Sequence, residues 1–97
     1  MPKAYWIGSH MTVKDADKMQ AYAAAAGPAI AAHGGNFLAR GGETAVMEGP
    51  EQVRVVVTEF PSLQAAKDCY NSDAYQAALE KLAGGVDRSI FIVEGVD

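Results

Sequence analysis

The chain is expected to fold as an α+β domain with the element order β-α-β-β-α-β, and three observations predict it. Two stretches of helical period each run into a Gly-Gly pair, Gly34-Gly35 and Gly84-Gly85, and then into an apolar stretch. The segment between the two halves holds two strand-like runs separated by the turn Glu48-Gly49-Pro50-Glu51. With 97 residues there is room for one domain, over 1–97, and for one core. The order is that of the split βαβ or ferredoxin-like pattern, an antiparallel four-stranded sheet in the order 4-1-3-2 with helices on one face only.

The first strand is expected over Ala4 to Met11, a short aromatic-rich run in which Trp6, Gly8 and His10 share one face and Tyr5, Ile7 and Ser9 the other. Thr12 and Asp15 then offer helix caps. Asp15 and Asp17 place negative charge at the positive end of the helix dipole. Met19, Tyr22, Ala23, Ala26 and Ile30 follow at helical spacing, and Gly27-Pro28 predicts a kink or a restart, because proline lacks an N–H and crowds the preceding turn. His33 stands at the end of this helix, where a cation or a cap suits the dipole.

Asn36 to Met47 reads as the second strand, bulged or bent at Gly41-Gly42, and Val53 to Phe60 as the third. Pro61 stops that strand and Ser62 caps a helix bearing Leu63, Ala66 and Tyr70 on one face. Asn71-Ser72 breaks it. A second helical segment then carries Tyr75, Ala78, Leu79 and Leu82 as far as Gly84-Gly85, and Ser89 to Val93 reads as the last strand. The first, third and last strands carry apolar residues on both faces, whereas an antiparallel sheet wetted on one face should alternate apolar with polar. A second copy packed on the free face, a homodimer through the sheet, is the expected cover.

Composition narrows the functional classes. The net charge of −4 and a pI near 5.0 provide no basic footprint for nucleic acid or an anionic membrane, and no apolar run approaches the roughly 20 residues of a membrane span. One cysteine, Cys69, and no signal-like start point to the cytoplasm. Two histidines without His-x-x-His or Cys-x-x-Cys spacing predict no metal site, and nothing calls for a cofactor. Cys69 itself has only Lys67 as a near basic residue and is expected to be inert.

The motifs His33-Gly34-Gly35, Arg40-Gly41-Gly42, Glu48-Gly49, Glu59-Phe60-Pro61-Ser62, Tyr70-Asn71-Ser72-Asp73-Ala74-Tyr75 and Val93-Glu94-Gly95 occur in one order along nearly the whole chain. In this combination the chain resembles the DUF1330 family. The resemblance implies a ferredoxin-like subunit of a dimeric α+β barrel and no established activity; the wider superfamily includes cofactor-independent monooxygenases, haem-degrading enzymes, small isomerases and stress-response proteins. Two departures are visible: Cys69 stands where the family often has tryptophan, and Lys81-Leu82 where it tends to carry arginine.

Candidate site residues follow from charge inside apolar strands. The first and third strands are expected to run as parallel neighbours, which brings His10, Glu59, Arg88 and Asn36 or Arg40 toward one end of the sheet, where Glu59 with His10 would form a general acid/base couple. The structural alternative pairs Glu59 with Arg40 or Arg88. Arg40, beside the bare backbone of Gly41-Gly42, is a candidate anion anchor or else an interface ion pair. Tyr70 and Ser72 are candidate ligand contacts, with a capped helix break as the structural alternative. The expected function is a small-molecule pocket with cofactor-independent proton or oxygenation chemistry, or else non-catalytic binding or a stress-related role.

Overall fold

The computed structural model describes residues 2–96. Seven elements follow one another: β1 (Ala4–Val13), α1 (Ala16–Ala32), β2 (Asn36–Arg40), β3 (Val56–Phe60), α2 (Leu63–Asn71), α3 (Asp73–Leu82) and β4 (Val86–Glu94). The strands form one antiparallel sheet in the order β2-β3-β1-β4. The fold class is therefore the expected ferredoxin-like α+β arrangement.

Local chemistry explains the boundaries. Asp15 caps α1, its carboxylate accepting from the N–H groups of Asp17 and Lys18, both at 3.1 Å. At the other end the His33 ring stands 2.9 Å from the Ala29 carbonyl through Nδ1, and Gly34 takes the left-handed conformation with φ 81°. The restart considered at Gly27-Pro28 does not occur. The helix passes through Pro28 unbroken, and Ala26, Ala29 and Ile30, buried on the sheet, hold the turn that proline deprives of one N–H. Ser72 serves two helices at once: its hydroxyl donates to the Cys69 carbonyl at 2.7 Å, closing α2, and accepts from the Tyr75 N–H at 3.2 Å, opening α3.

The second strand is shorter than expected, ending at Arg40 rather than Met47. Gly41 turns the chain out of the sheet with φ 71°, and residues 41–55 form an irregular excursion closed at its base by the Gly41 N–H on the Val55 carbonyl at 3.0 Å.

The helices cover one face of the sheet. Trp6, Phe60, Tyr22, Ala26, Ile30, Ala66, Cys69, Tyr75, Ala78 and Leu82 make one buried cluster between the layers. Trp6 is its centre, with ring centroids 5.0 Å from Tyr75, 5.6 Å from Tyr70 and 5.7 Å from Phe60. On the opposite face Tyr5, Ile7 and Val57 are half-buried by their neighbours, while Phe91 and Val93 are 49% and 48% exposed. Among the described residues no element covers that face.

The register overturns one expectation. β1 and β3 are antiparallel neighbours, with Ala4 opposite Phe60 and Tyr5 opposite Glu59, so their carboxyl ends lie at opposite ends of the sheet. The helical crossover returns β2 in the direction of β1, and the following connection reverses β3 before it inserts between them. Glu59 therefore lies beside Tyr5, about 16 Å along the strand from His10 at the rise per residue of a β-strand. The Glu59–His10 couple does not form.

Candidate functional site

Because the helices pack on one face, the strand side chains that line a cavity between the layers are mostly those alternating inward. β1 contributes Trp6 and Gly8, β3 Val56 and Thr58, β4 Arg88 and Ile90, and β2 Phe37 and Arg40. Across them α1 presents Ala23, Ala26 and Gly27 together with Met19, Tyr22 and Ile30. Here sheet and helix leave a narrow cavity of about 50 Å³ that opens to solvent. Gly8 lies at the middle of its floor, where the Ile90 and Met11 side chains close over it, 3.2 and 3.3 Å from where a Cβ would stand.

Three arginines reach this cavity: Arg40, Arg54 and Arg88. No aspartate or glutamate lines it, and among the described residues no arginine is ion-paired; the ion pairs are Lys3–Glu59 at 3.4 Å and Lys14–Asp87 at 3.1 Å. The Arg40 guanidinium stacks over Phe37 at 4.3 Å from the ring centroid. Arg54, from the excursion, lies flat against Gly41, where a Cβ would come within 2.8 Å of the guanidinium carbon, and its Nε is buried without a hydrogen-bond partner. A buried donor left unpaired costs free energy that a bound acceptor recovers.

Arg88 forms the other head of the cavity. It stacks over Tyr22 at 4.8 Å and stands 3.4 Å from both phenolic oxygens, Tyr22 and Tyr75, which lie 2.6 Å from each other. Burial, followed by the neighbouring Tyr22, pushes the Tyr75 phenol far above its ordinary value, so it remains a neutral hydroxyl. Burial likewise pushes the Cys69 thiol up to about 11, which keeps it protonated and unreactive, as expected. Both groups resist ionisation only while folded. Their stabilising contribution is complete below the unfolded values of 9.0 and 10.0 and is lost as pH rises above them, since the unfolded chain ionises first. The melting temperature is therefore expected to decline from pH 9 upward, and Cys69→Ala should delay the onset of the decline; a wild-type melting temperature flat from pH 9 to 11 would contradict this account.

The expected site residues fall in different places. Arg40 lines the cavity. Glu59 points to the open face and pairs with Lys3, not with Arg40 or Arg88. His10, exposed and with a left-handed φ of 53°, is held outside the cavity: its N–H donates to Gln52 Oε1 at 2.9 Å, and its Nε2 stands 3.1 Å from the Gln52 amide nitrogen. That amide nitrogen can only donate, so Nε2 accepts from it and Nδ1 carries the hydrogen toward Ser9 Oγ at 3.2 Å. The lone pair a general base would use is already engaged. Ser72 spends its hydroxyl on the helix break, and Tyr70 packs its ring against Trp6 and Tyr75; neither lines the cavity.

The residues missed by sequence reasoning are Arg54 and Tyr22, together with Arg88 as part of a cavity rather than as a partner for Glu59. The available signals were the run Ala23-Ala24-Ala25-Ala26-Gly27, too small to fill a sheet-facing stripe, and Arg54 set among the valines of the third strand. Among the described residues no group of three or more His, Cys, Asp or Glu side chains could hold a metal ion, and no helix is long and apolar enough to cross a membrane.

The comparisons with known proteins agree with the fold. A family model described as a domain of unknown function, DUF1330, matches residues 3–96. Among solved structures, a protein of unknown function from Rhodopseudomonas palustris superposes with a TM-score of 0.80 at 17% identity, over 99% of this chain and 84% of its own. The cofactor-independent oxygenase SnoaB from Streptomyces nogalater gives 0.67 at 9% identity, over 100% of this chain and 96% of its own. A dimeric protein of unknown function and ferredoxin-like fold from Bacteroides fragilis gives 0.62 at 16% identity, over 96% of each chain. At these identities the likeness is one of fold. No protein of curated function matches the chain.

Proposed function

The chain belongs to the DUF1330 family, a domain of unknown function, and from that premise we propose that it binds a small organic carboxylate in the cavity between sheet and α1. One observation carries the reading: Arg40, Arg54 and Arg88 line a single cavity whose other residues include no acidic group to neutralise them. Arginine presents a planar fork of donors that matches a carboxylate, and Arg40 and Arg54 are the anchors. The apolar floor and the Met19, Ala23, Ala26 and Ile30 side chains of α1 accept the hydrocarbon part.

Binding without turnover is the reading the lining favours. Proton or oxygenation chemistry without a cofactor needs a base at the substrate, and the lining has neither carboxylate nor imidazole. Trp6, the single tryptophan, lines the cavity and is the natural reporter. Titration with butanoate and pentanoate, and with their uncharged amides, should change Trp6 fluorescence saturably for the acids alone, with the ligand recovered unchanged. Equal responses to acid and amide would sink the reading, and a product that forms only with the protein present would replace it with an enzymatic one.

The same proposal includes a homodimer through the open face of the sheet, where Phe91 and Val93 stand exposed beside Tyr5, Ile7 and Val57. The dimeric state of the Bacteroides fragilis neighbour supports it. Light scattering at micromolar concentration should return twice the chain mass of 10.2 kDa, with Phe91→Glu shifting the population toward monomer. A wild-type monomer would remove this part of the proposal.

A further inference from the structure

The carboxylate reading accounts for Arg40 and Arg54 but leaves the second head of the cavity, Arg88 with Tyr22 and Tyr75, without a task. A count of protons assigns one. The two phenols lie 2.6 Å apart and share one O–H hydrogen, while Arg88 can only donate to their oxygens. The second phenolic hydrogen has no acceptor among the described residues. Tyr75 is fully buried and does not line the cavity, whereas Tyr22 does. The satisfied arrangement is therefore Tyr75 donating to Tyr22, with the Tyr22 hydroxyl donating into the cavity.

The charged and phenolic groups of the cavity thus all present donors: two guanidinium groups at one end, a phenol backed by a guanidinium at the other. The two ends are well separated. The row of paired residues Arg40, Val56, Gly8 and Ile90 crosses all four strands, so the backbones of its first and last members are about 14 Å apart at the usual strand spacing, and Arg88 lies two residues beyond Ile90. Between the ends the floor is Gly8 and Val56, and the roof carries Met19 and Ile30 beside Ala23, Ala26 and Gly27.

We infer that the ligand carries a second oxygen acceptor remote from its carboxylate, and that the Tyr22 hydroxyl with Arg88 reads it: the ligand class is a short oxo acid or its enol rather than a plain hydrocarbon acid. This rests on the carboxylate reading and deepens it. A ketone oxygen accepts from the Tyr22 O–H, and Arg88, acting through the same phenol oxygen, strengthens that donor. No bond is made or broken in the complex.

Matched pairs test it: 4-oxopentanoate against pentanoate and 5-oxohexanoate against hexanoate, each titrated into wild type, Tyr22→Phe and Arg88→Gln. At least one oxo acid should bind wild type roughly tenfold more tightly than its plain partner, the worth of one buried hydrogen bond. In Tyr22→Phe that preference should vanish, and Arg88→Gln should reduce it without depending on the Tyr22 substitution being tolerated. Equal affinities within both pairs in wild type would overturn the inference and leave the carboxylate reading standing. A preference that survives in folded Tyr22→Phe would overturn it too, since another group would then be reading the ketone. If none of the four acids binds, the carboxylate reading falls and the inference falls with it.

Discussion

Arg54→Met is expected to remove carboxylate binding while leaving the fold as stable as wild type or more so. Most arginines that anchor a fold do so through a carboxylate or a carbonyl. Among the described residues Arg54 has no such ion pair, and its Nε is buried with no partner at all. Removing it deletes an uncompensated buried donor, which costs the free protein little and can be favourable. In the complex the same atoms make charge-assisted hydrogen bonds worth about 1.5–3 kcal/mol, so affinity should fall by roughly 10- to 150-fold. Gly41→Ala provides an independent route to the same loss. The added Cβ would come within 2.8 Å of the Arg54 guanidinium carbon, at a residue that also needs a left-handed backbone. Arg54 must then leave its seat. Calorimetry of butanoate binding beside a thermal melt reads both halves; a variant that melts well below wild type and binds as before would show Arg54 to be a structural residue.

Trp6→Ala is expected to have the largest effect on stability, about 3–5 kcal/mol. Trp6 is 3% exposed and is touched by the rings of Phe60, Tyr70 and Tyr75, so its loss opens a void that three aromatic neighbours from three different elements would have to fill together. Domains of this size are stable by roughly 5–15 kcal/mol in total, so the variant should be marginal and its urea midpoint sharply lowered. Trp6→Phe keeps part of the packing and should recover about half of the loss. Trp6 also lines the cavity, so wherever the alanine variant folds it should bind acids more weakly than Trp6→Phe does. An unchanged urea midpoint in Trp6→Ala would show that the aromatic cluster is not the centre of the core.

Trp6 and Arg54 play different parts, although both line the same cavity. Trp6 is held by packing and holds the packing in turn. Arg54 is positioned by Gly41 and has no structural partner. The difference identifies the polar part of the cavity as a place where the fold gives up a satisfied hydrogen bond, as binding sites do and cores do not.

The element order, the helix caps and the apolar character of both sheet faces were legible in the sequence, because each depends on neighbours within a few residues or on a local period. Ser62, Ser72, Gly34 and Gly84 act where their side chains or their lack of one predict. The DUF1330 resemblance rests on motifs of that same local kind. The direction of β3 relative to β1 was a different matter, since it depends on how a connection inserts one strand between two others, and no residue of either strand records it. On that direction hung the whole account of Glu59 and His10. Once the strands pair with Tyr5 opposite Glu59, the carboxylate belongs to Lys3 on the open face and the imidazole to Gln52 at the far end. The cavity was hidden for a related reason. Arg40, Arg54 and Arg88 come from β2, from the excursion before β3 and from β4, and only the layered packing of sheet and α1 brings three charges far apart in the chain to one apolar space with no acid beside them.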